Sequence, residues 1–368
     1  MNQPASAAEG AGPPSASTPR VWLVTGYRAG ERSQILALAE ALGWPYELKQ
    51  LAYRKAGMRT ALLRGVGLQG IRVEASSPLT PPWPDLVISA GMRNEPVVRW
   101  IRAQTAGRTR LVHIGRPWAK HEQFDLLITT PQYRLPERGN IIHNTGTLHR
   151  VTAERLALEA DAWRAEYAHL PGPYLGVILG GNSGPYTLGE NTAALIARRV
   201  SDLAEQMGAS VLATSSARTP GKALQAFECN LSVPCDLYRW RPNDAAHNPY
   251  FGILALSSAL VVSADSISML SEACATGKPV YMADLAACGY PMRADSRVAG
   301  DFRLGALMYS ALMRFGHARL SRDLRLVHRA LLEQGRVVWL GERFEGALPS
   351  PPDDVGRVVR RVQALFGG

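Results

Sequence analysis

The stretch Val261–Tyr281, VVSADSISMLSEACATGKPVY, decides how the rest of the chain is read. An apolar β-branched run ends in Ala264-Asp265-Ser266-Ile267-Ser268, and helical spacing then resumes. A strand that empties into small polar residues at a helix N-terminus is how α/β proteins offer backbone N–H groups to an anion. If the helix starts near Ser266, Glu272 lies roughly two turns in. A carboxylate there adds nothing to anion binding by charge. It can, however, accept two hydrogen bonds from a ribose diol while the helix start holds phosphates. The plainer account makes Glu272 a surface helix residue, or a charge balanced by Lys278.

Outward from this segment, apolar β-rich runs alternate with helical patterns, which argues parallel sheets with crossover helices. Strands are expected at 21–24, 46–51, 85–89, 110–115, 125–129 and 140–144, with helices at 31–42, 94–105 and 56–64. A long helical pattern at 152–170 leads to Pro171-Gly172-Pro173-Tyr174, the best domain boundary. The second half restarts with strands at 174–181, 210–216, 235–240, 259–264 and 279–285, and helices near 190–207, 247–257 and 267–276. From 300 onward the pattern is helical, with a Pro-rich break at 348–354 before a terminal helix over 354–366. The expected organisation is a disordered tail (1–20), one doubly wound domain (21–170), a second (171–345) and a terminal segment with its helix (346–368).

Three loops of the second half fall at strand ends. They are Gly180-Gly181-Asn182-Ser183-Gly184, then Thr214-Ser215-Ser216 with Arg218, then the opening Asp265-Ser266-Ile267-Ser268. In a parallel sheet all three lie on one edge and can converge on a single phosphate-bearing ligand. Each alone is also ordinary turn sequence. A nucleoside diphosphate accounts for both the amide-rich turn and Glu272, whereas a bare phosphate accounts only for the turn. In the first half, Gly26 and Gly30 bracket a tight strand-to-helix turn, an ordinary feature unless the backbone there meets a ligand.

Composition narrows the field. The chain of 368 residues is 46% hydrophobic and 20% charged, and its formal charge is +10. Arginine is spread evenly, with no basic arm or interleaved aromatics, so nucleic acid is not the expected partner. A contact with an anionic membrane surface fits better. No apolar run reaches transmembrane length. The first twenty residues lack the apolar core of a secretory signal, and the cytoplasm, peripherally at the inner membrane, is the expected location. Cys229, Cys235, Cys274 and Cys288 have no metal spacing. His113 and His143 sit on apolar strands as core groups. The literal G-x-G-x-x-G at Gly65–Gly70 follows helical sequence instead of a strand, and Gly277-Lys278 is followed by Pro279, so neither is a phosphate fingerprint. There is no Asp-x-Asp, His-Glu-x-x-His or Gly-x-Ser-x-Gly.

These residues resemble a known family. The second half resembles the donor domain of GT-B glycosyltransferases, including the enzyme that adds N-acetylglucosamine to the peptidoglycan lipid intermediate. Those enzymes carry a ribose-binding glutamate on a helix after a Ser-rich turn, matched here by Ser268 to Gly277 with Glu272. Nearly the whole chain, from 21 to about 345, resembles bacterial relatives of the plant mitochondrial-fission (elongated-mitochondria) family. The matching segments are GYRAGERSQILALAEALG, PDLVISAGMRNEPVVRWIR, ILGGNSGPY, TSSARTP and NPYFGILALSSALVVSADSISMLSEACATGKPVY.

The resemblance implies an α/β, GT-B-like fold: two doubly wound Rossmann-like domains facing a cleft, with C-terminal helices packing back. It implies donor-binding roles for Gly181, Asn182, Ser183, Thr214, Ser215, Arg218, Asp265, Ser266, Ser268 and Glu272. Gly26, Arg28 and Gly30 would form the acceptor-side loop. Where the peptidoglycan enzyme has a histidine after its glycines, this chain has Glu31, the candidate base. The implied activity is metal-independent transfer of a sugar from a nucleoside-diphosphate donor, a substrate and no cofactor, to an acceptor such as a lipid-linked or envelope glycan. The alternatives are a non-catalytic adaptor of the same fold and a sugar-nucleotide 2-epimerase.

Overall fold

The computed structural model describes residues 18–367, apart from Tyr27, residues 55–64, Asn243, Ala245, Ala246, Arg297, Ala299 and Gly346. Most of the expected tail and the helix expected at 56–64 lie outside the described residues.

The first sheet contains β1 (Val21–Thr25), β2 (Tyr46–Gln50), β3 (Leu86–Ala90), β4 (Arg110–Ile114), β5 (Leu126–Thr129) and β6 (Ile141–His143). Its order is β2-β1-β3-β4-β5-β6, all parallel. Strand β1 shows why it is covered on both faces. Val21 and Leu23 pack with Ile35 and Leu38 of helix α1 (Ala29–Leu42), while Trp22 and Val24 pack with Val97 and Ile101 of α2 (Glu95–Gln104) on the other side. Alternate side chains of one strand thus feed two cores, as a buried parallel strand requires. His113 is inside this sheet with Nδ1 2.9 Å from Ser89 Oγ. His143 is half-buried, with Nε2 3.3 Å from the Pro136 carbonyl.

The second sheet is built from β7 (Tyr174–Ile178), β9 (Ser210–Thr214), β10 (Cys235–Tyr238), β11 (Ala259–Ser263), β12 (Val280–Ala283) and β14 (Val338–Trp339). Its order is β10-β9-β7-β11-β12-β14, again parallel. A two-stranded antiparallel pair, β8 (Tyr186–Thr187) with β13 (Ala286–Ala287), sits beside it. Helices α4 (Glu190–Met207), α5 (Gly221–Cys229), α6 (Tyr250–Leu256) and α7 (Ile267–Ala275) complete the crossovers. Strand β14 corrects the helical reading of everything beyond 300. Only two residues pair, too short a run to leave a period-2 pattern.

Beyond the second sheet lie α8 (Leu304–Phe315), α9 (Arg325–Glu333) and α10 (Asp354–Gln363). Helix α10 returns to the first domain, burying Val358 and Val362 in the cluster that holds Val21 and Leu86. Helix α3 (Ala153–Arg164), on the N-terminal side of the Pro-Gly break, packs instead on the second domain. Its Trp163 ring stands so close to Gly252 of α6 that a Cβ there would lie 2.5 Å away. The result is a GT-B-like pair of doubly wound domains. The first has the 2-1-3-4-5 strand order of flavodoxin-like sheets with a sixth strand appended, and the second has the Rossmann order 3-2-1-4-5-6. Each order reverses at one place, between β1 and β3 and between β7 and β11.

Candidate functional site

The three loops of the second domain meet at its reversal point. Ser263 Oγ accepts from Gly180 N–H at 2.6 Å, and Asp265 Oδ2 accepts from Gly181 N–H at 3.0 Å. Asp265 also takes the Ser263 hydroxyl at 2.8 Å and pairs with Arg218 at 2.9 Å. Ser216 Oγ donates to the Gly180 carbonyl at 2.7 Å, and Arg218 donates to the Asn182 carbonyl at 3.2 Å. Gly180 and Gly181 are required here by space. A Cβ at Gly180 would come within 2.3 Å of Asp265 Oδ1, and one at Gly181 within 2.1 Å of the Arg218 carbonyl oxygen.

This packing sorts the residues singled out from sequence. The Asp265 side chain is 0% exposed and its oxygens are taken by the protein, so it holds the loops together. Thr214 is buried with its hydroxyl on the Ser215 carbonyl, Ser215 Oγ accepts from Trp240 N–H, and Asn182 Oδ1 accepts from Leu188 N–H. Those side chains brace the loops. Ser183 is buried, whereas Ser266 and Ser268 are half-buried and the Arg218 side chain is 42% exposed.

Glu272 is buried in α7 and accepts a hydrogen bond from the Tyr250 hydroxyl at 2.5 Å. Burial pushes its pKa up from 4.5 to about 7, against the pull of Tyr250, Arg155 and Arg150. It is neither a surface charge nor balanced by Lys278, whose Nζ donates to the Leu254 and Ala255 carbonyls.

At the reversal point of the first domain, Glu31 lies in the first turn of α1 with its carboxylate against Gly91, where a Cβ would meet Oε2 at 2.5 Å. Gly91 has φ +81°, a conformation that L side chains avoid, so this position needs glycine twice over. The Glu31 side chain is 24% exposed and accepts from Arg28 at 3.1 Å. Burial raises its pKa, opposed by the charges of Arg28, Arg322 and Arg93. Gly26 lies under the Tyr53 ring, again too close for a Cβ.

The two edges face each other. Gly30 is within 4.0 Å of Ser268 Oγ measured from where its Cβ would be, so the starts of α1 and α7 meet across the cleft. Arg322, which sequence reasoning missed, donates to Ser183 Oγ at 3.2 Å and acts electrostatically on Glu31. It lies on a strap held by arginines of the first domain: Arg116 donates to the carbonyls of Ala318 and Ser321 at 2.8 Å, and Arg134 pairs with Asp323 at 2.7 Å. Thr147 N–H donates to Ser271 Oγ at 2.8 Å, tying the interdomain linker to α7. These arginines carry no local sequence signal, because their partners lie far away in the chain. The end of β2 opens a recess of about 740 Å³ whose lining among the described residues includes Arg54, Arg72 and Arg93 and no carboxylate. Among the described residues, no three His, Cys, Asp or Glu side chains gather as a metal set.

A sequence model of the family described as mitochondrial fission ELM1 matches residues 29–299, from the start of α1 through all three strand-end loops of the second domain. The chain belongs to the ELM1 family. Mitochondrial fission protein ELM1 of Arabidopsis thaliana is 31% identical over 221 residues, covering 54% of this chain and 51% of its own, so the match spans about half of that relative. A second relative, an uncharacterized protein of Rickettsia prowazekii, is 24% identical over 294 residues, 71% of this chain and 82% of its own. Among solved structures, UDP-GlcNAc 2-epimerase of Methanocaldococcus jannaschii, in complex with UDP-GlcNAc and UDP, superposes with a TM-score of 0.50 at 12% identity. That alignment covers 95% of this ELM1-family chain and 100% of the epimerase, a likeness of fold.

Proposed function

We propose that this ELM1-family protein transfers a sugar from a nucleoside-diphosphate donor to an acceptor hydroxyl without a metal. The observation that carries the reading is the juxtaposition of Glu31 with Arg322 and Ser183. It brings a carboxylate of raised pKa on one domain beside a hydroxyl and guanidinium at the phosphate-type loop of the other. In this reading the acceptor oxygen attacks the anomeric carbon while Glu31 takes its proton, and the bond to the diphosphate breaks. The N–H groups at the start of α7, with Arg218 and Arg322, stabilise the leaving charge in place of a cation. Glu272 accepts from the ribose diol, exchanging the Tyr250 hydroxyl for it. The arginine-lined recess by β2 suits an anionic acceptor.

An adaptor role is the second reading, favoured by the family's description as mitochondrial fission proteins and by Glu31 standing where the peptidoglycan enzyme has its histidine. Calorimetry against UDP, UDP-sugars and other nucleoside diphosphates, with EDTA present, tests the donor site. Glu272→Gln should weaken the best ligand by about 1–3 kcal/mol with the fold intact. Unchanged affinity removes Glu272 from the site, and strong magnesium- or manganese-dependent binding overturns the metal-free mechanism. Tight binding without turnover across a broad acceptor panel favours the adaptor.

A further inference from the structure

Helix α8 is amphipathic in the wrong sense for a protein surface. Its inner face is small and polar: Ala306 and Ser310 are buried, with Ser310 Oγ donating to the Ala306 carbonyl at 2.9 Å. Its outer face carries Leu304, Leu307, Met308 and Phe315, spaced as one helical stripe, with Phe302 and Leu320 flanking it. Met308 is 66% exposed and Phe315 82%. No charged residue occurs between Leu304 and Met313. Apolar residues scattered singly over a surface are ordinary, but six gathered on one helix and its flanks mark a surface that something covers.

The charge around the stripe identifies the cover. Arg314, whose guanidinium lies over the Phe315 ring, and Arg319, which donates to the Trp118 carbonyl at 3.3 Å, flank it, and among the described residues neither makes an ion pair. The nearby carboxylates are turned inward. Asp301 accepts from the Asn191 and Thr192 N–H groups, and Asp323 is held by Arg134 and Arg325. The outward charge at this patch is therefore positive, and the chain as a whole carries +10. An apolar stripe rimmed by arginines is the pattern of a helix lying in the interface of an anionic bilayer. We propose that α8 and its flanks dock this protein on the surface of an anionic phospholipid membrane. Among the described residues no helix is long and apolar enough to cross one.

The docking face is wired to the cleft. Tyr309, on the inner side of α8, packs on Gly184 of the first donor-side loop, and its hydroxyl accepts from Arg322 N–H at 2.9 Å. A bilayer under α8 therefore lies at the cleft mouth, within reach of a lipid-linked acceptor. That consequence rests on the proposed transferase reading; the docking itself does not.

The test is co-sedimentation of the full chain with vesicles, alongside light scattering in solution. Wild type should bind vesicles of phosphatidylcholine containing about one-third phosphatidylglycerol, bind pure phosphatidylcholine weakly, and lose affinity with added salt. Combined Leu304→Ser, Met308→Ser and Phe315→Ser, all at exposed sites, should lower binding about tenfold or more with an unchanged melting curve. Arg314→Ala should weaken binding to the anionic vesicles alone. No binding by wild type at low salt, or equal binding by the serine variant, overturns the proposal. So does a wild-type dimer at micromolar concentration that the serine variant breaks, since a second copy would then cover the face. Vesicle binding reads only the helix, so an inactive cleft leaves it standing, and loss of docking leaves nucleotide binding unaffected.

Discussion

The two reversal points of this molecule solve the same packing problem and end with opposite chemistry. In each, a carboxylate from one loop is pressed against a glycine of the neighbouring loop at a distance no Cβ would tolerate: Glu31 on Gly91, Asp265 on Gly180. In the second domain the carboxylate is sealed, with a backbone N–H, a hydroxyl and a guanidinium on it. In the first it stays a quarter open, beside arginines that do not seal it from the cleft. The sealed acid fixes a loop, and the open one is free to exchange a proton. A buried-looking acid at a strand end is therefore not evidence of catalysis until its partners are counted.

The largest expected effect breaks this comparison at its open end. If Glu31 is the base, Glu31→Gln should lower turnover by roughly 10²–10⁴-fold, with donor affinity nearly unchanged. If it is only a first-turn charge on α1, the substitution costs about 0.3–1 kcal/mol of stability and nothing specific to turnover. Transfer to acceptor, or hydrolysis of the best donor, measured at equal folded fraction decides between them. Equal rates would make Glu31 and Asp265 alike after all.

At the sealed end the ranking reverses. Asp265→Asn removes the partner of Arg218 and one acceptor of the loop network, and a broken buried pair is costly. Arg218 is 42% exposed, so water takes over part of its charge, and the expected loss is about 2–3 kcal/mol. Denaturant melts should show that loss for Asp265→Asn and less than about 1 kcal/mol for Glu31→Gln. Similar losses at both sites would erase the distinction drawn here.

How much of this was legible follows from what leaves a local pattern. Strand β11 and helix α7 were placed within a residue or two, because a β-branched run and a helical period need no distant partner to be seen. The convergence of the loops after β7, β9 and β11 followed from parallel topology alone. Which side chains face the ligand did not. Asp265 and Ser266 are adjacent in sequence, yet one is inside the scaffold and the other at the edge, a difference set by Gly181 and Arg218 from other loops. Arg322, Gly91 and the outward stripe of α8 were missed for a related reason. An arginine, a glycine or an apolar helix looks the same in sequence whether it faces a core, a cleft or solvent.

The smallest effect concerns Glu272, the third acid, which is sealed by burial with the Tyr250 hydroxyl on it. Its folded pKa of about 7 stands above the ordinary 4.5 because the charged form is desolvated. The folded state thus holds more protons than the unfolded one between those values. The stabilisation is fully present below about pH 4.5 and is lost as pH rises to about 7. His113 and His328 oppose this slope, since burial lowers each from 6.5 to about 4 and their neutral forms gain stability as pH rises. Subtracting the Glu272→Gln variant removes those histidines. The wild-type stability measured against that variant should rise by on the order of 1–3 kcal/mol between pH 7.5 and pH 5. Nucleotide affinity should move the other way, because only the carboxylate accepts both ribose hydroxyls. An affinity that does not change over this range would mean that Glu272 touches Tyr250 and never the ligand. A flat stability difference would mean that water reaches the carboxylate, which would then resemble the open Glu31 more than the sealed Asp265.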